Sequence, residues 1–265
     1  MLKLVRTHRR VLVWWRTLCL LSVLNICLWT FIWLFGPTDN PYSVMQLTLS
    51  GIYVFVCAYR SWLPRVDLER QVLFDSPLSS IFLGRSAATV AEICFGIQLG
   101  LLVHQVGAEA GLVWVQNSAW VITLCTILAQ FFCWHSILTL NHITPAVEEL
   151  LWAAGLSWMA ALLMIVAMDT SGVVQLLAIA GIAGSLLFVL YVLVFDIPMY
   201  LRRFRGGRKQ GQHYLTITQG IADALNRRQT ELAWHKWRDD AIWLTPYFSI
   251  GVWVSMALVF VPTLF

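Results

Sequence analysis

Glu92 is the residue best placed to do chemistry, because it falls inside the stretch 86–104, which is otherwise apolar enough to cross a membrane. A carboxylate in hydrocarbon is costly unless it is paired, protonated or hydrated, and such residues mark binding sites, ion paths or proton relays. Arg85, Thr89, Glu92, Gly96 and Gly100 recur at steps of four, three, four and four, so they share one helical face. That face must look into a bundle. Arg85 sits far along it from Glu92, so the best partner is expected on a neighbouring helix, near His135, His142, Glu148 or Glu149. In the competing reading Glu92 is only a structural clamp between helices.

The next apolar stretch carries a second polar stripe, Thr123, Thr126, Gln130, Cys133 and Asn141, with His135, Thr139 and His142 on an adjoining face. His135 and His142 lie seven residues apart, so they align but need other helices to bind one metal. They read either as hydrogen-bonded interfacial histidines or as ligands and proton carriers. Thr144 and Pro145 suit the cap and first residue of a fifth helix, whose positive dipole end Glu148 and Glu149 would complement. Functionally, two adjacent carboxylates facing a histidine-bearing helix suit acid–base work on an apolar substrate. The tract Pro145-Ala146-Val147-Glu148-Glu149-Leu150-Leu151-Trp152 resembles the proline-plus-paired-glutamate tract of the membrane-embedded lycopene cyclases of fungi and some bacteria. That resemblance implies carboxylates that protonate a polyene. It covers eight of 265 residues, two residues instead of one separate Pro from Glu, and no second tract matches, so no family is assigned.

Glu231, His235 and Asp239 follow at i, i+4 and i+8, a spacing that could supply metal ligands or a proton relay, or ion pairs on a surface helix. Asp196 stands in Phe195-Asp196-Ile197-Pro198, which echoes Phe74-Asp75-Ser76-Pro77; the echo is read as coincidence more readily than as a repeat of three spans. Metal candidates are therefore His135, His142, His235 and Asp239. HExxH, ExxH and clustered histidine boxes are absent, the last span holds no Lys for a retinal Schiff base, and no clear motif requires a cofactor. The run Arg205–Gly211 lacks phosphate-loop spacing and reads as a basic, flexible hinge.

These residues must be positioned by membrane helices. The mean hydropathy is +0.71, 59% of residues are apolar and 12% are charged, against roughly 25% charged in water-soluble domains. The expected fold is all-α, a single polytopic domain of seven transmembrane helices near 17–36, 44–59, 86–104, 113–140, 150–168, 173–195 and 241–263. Cytoplasmic segments would be 60–85 and 196–240, the latter holding an interfacial helix over Thr216–Asp240 that lies on the headgroups. Of the 18 bases, five precede the first span (Lys3, Arg6, Arg9, Arg10, Arg16), four lie between spans two and three, and nine between spans six and seven. Lys and Arg accumulate on the cytoplasmic side, so the N-terminus is expected inside and the C-terminus outside.

All six cysteines fall within spans, so disulfides are not expected. The first segment reads as a retained anchor, being long for a signal peptide and lacking a cleavage site. Among the 14 tryptophans, Trp14, Trp15, Trp62, Trp114 and Trp243 suit interfacial belts, while Trp120, Trp134, Trp152 and Trp158 could line an aromatic cavity or simply pack. The expected partners are the bilayer, anionic lipid headgroups and a hydrophobic small molecule; nucleic acid is not expected. The expected localisation is an integral, multi-pass one in a bacterial inner or an organelle membrane. Function is read as an enzyme acting on a lipid or isoprenoid through Glu92, His135, His142, Glu148 and Glu149 near the cytoplasmic face. The alternatives are a proton-coupled transporter or channel with Glu92 in its pathway, and a non-catalytic membrane subunit. An enzyme should gather its groups beside one closed cavity; a transporter should set Glu92 beside a path reaching both faces.

Overall fold

Hydrocarbon offers no hydrogen bonds to the backbone, so apolar runs of this length satisfy their own amides by forming helices. The computed structural model describes residues 2–209, 211 and 213–264, with side chains from Arg9 onward, so Lys3 and Arg6 lie outside the described side chains. Among the described residues seven helices are long and apolar enough to cross a membrane: Arg9–Phe35, Pro41–Trp62, Ile81–Glu109, Val113–Thr139, Thr144–Asp169, Gly172–Lys209 and Trp234–Leu264. Their elements are α1 (Leu2–Phe35), α2 (Pro41–Trp62), α3 (Ile81–Glu109), α4 (Val113–Ser118), α5 (Val121–Thr139), α6 (Thr144–Asp169), α7 (Gly172–Tyr191), α8 (Ile197–Lys209), α9 (Ile217–Asn226), α10 (Trp234–Pro246) and α11 (Val252–Ala257).

Three spans are interrupted. The fourth changes from α4 to α5 at Ala119 and Trp120. The sixth passes through a π-helical segment, Val192–Asp196, between α7 and α8. In the seventh, Tyr247–Gly251 is π-helical and Leu258–Leu264 is 3₁₀. Pro246 explains the first of these two: without an N–H it cannot close the ladder, and the next turn widens. At the other end of the chain, Asn40 caps α2 by accepting from Ser43 N at 2.8 Å, and Pro41 takes the first helical position.

Two expectations change. The basic run at Arg205 is no hinge: α8 continues through Gly206 and Gly207 to Lys209, since extending a formed helix costs little; Gln210 lies outside the described residues. Nor is Thr216–Asp240 one surface helix. After α9 stops at Asn226, Gln229–Thr230 forms β3, which pairs parallel with β2 (Gln71–Val72), itself antiparallel to β1 (Arg65–Val66). Gln229 N donates to Arg70 O at 2.8 Å and Glu231 N to Val72 O at 3.0 Å, so an open strand edge captures the segment.

The chain groups into two compact units. The first contains residues 1–94 and 221–259: α1, α2, the sheet, the start of α3, most of α9, α10 and α11. Its interior is closed by Trp237, fully buried, with Trp14 tilted against it at 5.5 Å. The second contains residues 95–220 and 260–265, with α4 to α8. There Gly96 and Gly100 let α3 approach α5, because a Cβ on them would lie 2.6 and 2.8 Å from Thr126 and Thr123 Oγ1. Leu20 and Leu187, 72% and 68% exposed, show the apolar outer faces of the first and sixth spans.

Candidate functional site

In the first unit α2 turns one polar stripe inward. Ser43, Gln46, Ser50, Tyr53, Cys57 and Arg60 recur at steps of three and four, and all six are buried. The stripe runs from the first turn of α2 to its last. Ser43 Oγ donates to Val259 O at 2.8 Å, which ties it to the 3₁₀ segment after α11.

Glu92 lies eleven residues into α3, about 16 Å along its axis from Ile81. Its carboxylate is 12% exposed and meets Arg85 Nη2 at 2.6 Å. The expectation that Arg85 is too distant is thus corrected. Side chains on a helix lean toward its N-terminus, so Glu92 leans toward Arg85, and an extended guanidinium spans the remaining turn. Arg85 Nε also donates to Thr89 Oγ1 at 3.4 Å, and Tyr247 OH donates to Glu92 Oε1 at 3.3 Å. Tyr247 opens the π-helical segment, and its ring packs 5.7 Å from that of Tyr53. Gly251, at the far end of that segment, leaves room for the Tyr53 hydroxyl, which would sit 3.0 Å from a Cβ. Cys57 and Tyr53 lie within electrostatic reach of Glu92, and Arg60 and Arg85 within reach of Tyr247.

Between α2 and α3 the chain buries two arginines, Arg65 and Arg70. Arg65 donates to the carbonyls of Leu63, Leu78 and Ser80, at 3.3, 3.4 and 2.6 Å, and lies 4.8 Å over the Tyr59 ring. Burial pushes the Arg65 guanidinium below its ordinary pKa, against Tyr59 and Asp67, which raise it. Gly84 makes room for it, as a Cβ there would meet Arg65 Nη1 at 2.0 Å. Arg70 turns the β1–β2 hairpin with φ of 55°, unusual for a side-chain-bearing residue. It is held by Asp223 Oδ2 at 2.7 Å and Asp67 O at 2.7 Å. Arg60 Nη2 faces Asp67 Oδ2 at 3.7 Å. None of the depressions described in this unit is lined by Glu92: one, about 570 Å³, lies beside Leu83, Leu225 and Arg228, and the other, about 600 Å³, lies between α1 and α2.

The remaining expected residues belong to the second unit. His135 is exposed, with Nδ1 at 3.5 Å from Thr144 Oγ1, while His142 is half-buried in the turn after α5. Thr144 does not cap α6. Asn141 fastens that turn by accepting from Ile143 N at 3.0 Å, and Thr144 Oγ1 donates to Asn141 O, so Glu148 and Glu149 fall beyond the first helical turn. Glu149 lies within electrostatic reach of Tyr191, which is hydrogen-bonded to Asp196, whose charge Arg203 also reaches. Tyr191 thus holds Asp196 at a π-helical turn, with Glu149 at longer range.

The spacing of Glu231, His235 and Asp239 does not become a helical stack. Glu231 precedes α10, and its carboxylate accepts from Leu232 N and Ala233 N, so it fastens the helix start. Asp239 pairs with Arg238 at 3.0 Å and His235 is exposed. Among the described residues no three His, Cys, Asp or Glu side chains converge to hold a metal ion. The Phe-Asp-x-Pro echo also diverges: Asp75 is exposed and pairs with Arg228 before a 3₁₀ turn, whereas Asp196 runs on into α8.

Sequence reasoning missed Tyr53, Cys57, Arg60, Asp67 and Tyr247. The α2 stripe has the same step pattern that singled out Glu92, and that was the available signal. No family model, curated protein or solved structure matches this chain.

Proposed function

We propose that the protein is an integral membrane carrier, with its N-terminus and β1–β2 hairpin in the cytoplasm, in which Glu92 takes up and releases a proton as a small solute crosses. The carrying observation is the buried stripe from Ser43 to Arg60, which offers a polar route along the whole of α2 and passes the Tyr53–Tyr247–Glu92 group. A carboxylate held by one guanidinium and one phenol in this setting is charge-compensated, and its protonation would free Arg85 to meet another anion or water. The interruption of span seven at Tyr247 agrees with this reading, since broken helices line ion and substrate sites in carriers.

Purified protein in liposomes loaded with a pH dye provides the test, with amines, amino acids and carboxylic acids added one class at a time. The expected result is solute-dependent collapse of an imposed pH gradient that Glu92→Gln abolishes while expression and unfolding temperature are kept. A Glu92→Gln protein with wild-type flux would overturn the proposal.

A second reading keeps the enzyme acting on a lipid or isoprenoid. It is favoured by Tyr191, a proton-bearing group hydrogen-bonded to Asp196 and within electrostatic reach of Glu149. In that reading Glu149→Gln removes turnover of an added polyprenyl substrate and Glu92→Gln does not.

A further inference from the structure

Three of the buried polar atoms that form no hydrogen bond among the described residues, Arg60 Nε, Asp67 Oδ1 and Gln71 Nε2, belong to the hairpin and to the last turn of α2 that leads into it. Buried polar groups are rarely left so unless water or a ligand meets them, because each has lost its hydration. The three include donors and an acceptor, so no anion or cation alone satisfies them; water, which does both, fits. Arg60 Nη2 and Asp67 Oδ2 face one another at 3.7 Å, beyond direct hydrogen-bond range, which leaves Arg60 Nε and Asp67 Oδ1 for water to meet. Arg60 is also the last member of the α2 stripe, within electrostatic reach of Cys57 and Tyr247.

We infer that the hairpin encloses a hydrated recess, bounded by Arg60, Asp67 and Gln71, that connects the Glu92–Tyr247 pair with the cytoplasm and is the route by which Glu92 exchanges its proton. This rests on the carrier reading for its purpose. The proton passes along water between Asp67 and Arg60 to Glu92 Oε1 beside Tyr247, with no bond made or broken other than O–H bonds. The charged and titratable groups facing Glu92 along that route are Arg85 from α3, Tyr53, Cys57 and Arg60 from α2, and Tyr247 from the last span.

Pulsed X-ray hydroxyl-radical footprinting of the wild-type full chain reads internal water directly, because side chains beside trapped water oxidise although they are buried. Cys57 and Tyr53, 1% and 2% exposed, should be oxidised at rates close to that of Tyr214, which is 45% exposed. Cys133, comparably buried within the second unit, should stay protected. Asp67→Leu and Gln71→Leu should each slow oxidation of Cys57 severalfold. Protection of Cys57 and Tyr53 equal to that of Cys133 overturns the recess, even if proton flux persists. Oxidation unchanged in both leucine variants overturns the hairpin as its mouth. Loss of the carrier reading itself would appear instead as absent flux with Cys57 still oxidised.

Discussion

Two stretches supply half of the chain's basic residues, and they use arginine in opposite ways. From α2 to α3, Arg60, Arg65, Arg70 and Arg85 are all at most 6% exposed, and each meets a carboxylate or a set of backbone carbonyls. In α8, Arg202, Arg205, Arg208 and Lys209 are exposed. Counting bases treats the two alike, because both stand at the ends of apolar spans. What separates them is the company they keep. The first stretch carries Asp67 and a two-strand hairpin and draws Asp223 in from α9, whereas α8 has no acid within its own length after Asp196. The buried set organises the interior that holds Glu92, and the exposed set suits headgroups.

Removing Arg70 is expected to break this contrast most severely. Arg70→Ala leaves Asp223 without its 2.7 Å partner and should cost roughly 3 kcal/mol, whereas Arg205→Ala should stay within about 0.5 kcal/mol. Thermal unfolding in detergent checks both. Arg70→Gly should be milder than Arg70→Ala by about 1 kcal/mol, because glycine accepts the φ of 55° without strain. Equal losses would show that the backbone at Arg70 is relaxed.

Gly84→Ala sharpens the comparison from the other side. The added methyl would occupy the place of Arg65 Nη1, so the guanidinium must leave its three carbonyls, at a cost of about 1–3 kcal/mol. Gly206→Ala in α8, where no atom lies within 4 Å of a Cβ, should instead stabilise by up to about 1 kcal/mol. Lipid retention gives the smallest effect per residue. Replacing Arg202, Arg205 and Arg208 with Ala should reduce acidic phospholipid co-purifying with the protein, by about 1 kcal/mol of affinity per base and less at high salt. Retention that is insensitive to all three would remove α8 from the membrane surface.

Much of the architecture was legible, since seven apolar runs in a chain with 12% charge leave few alternatives to helices. Glu92 and its inward face were legible for the same reason, and its pairing with Arg85 was missed because axial distance was weighed without the lean of the side chains. The α2 stripe went unread because Ser, Tyr and Cys cost little in a membrane helix and raise no alarm there. β3 has two residues, and its pairing with β2 depends on an edge made by residues more than 150 positions away, which no local pattern carries. Glu231 looked helical by spacing for that reason. In the second unit, Glu149 and Asp196 were named as candidates, while Tyr191, the phenol hydrogen-bonded to Asp196, was not.

The central claim is that Glu92 exchanges a proton inside the membrane, and charge displacement after a pH jump on protein adsorbed to a solid-supported membrane tests it most directly. That signal needs no knowledge of the transported solute, because moving a proton onto Glu92 through part of the bilayer is itself a current. Wild type should give a transient on a pH jump from the hairpin side, Glu92→Asp should give a reduced one, and Glu92→Gln none. A transient of full size from Glu92→Gln, or none from a folded wild type, would contradict the account.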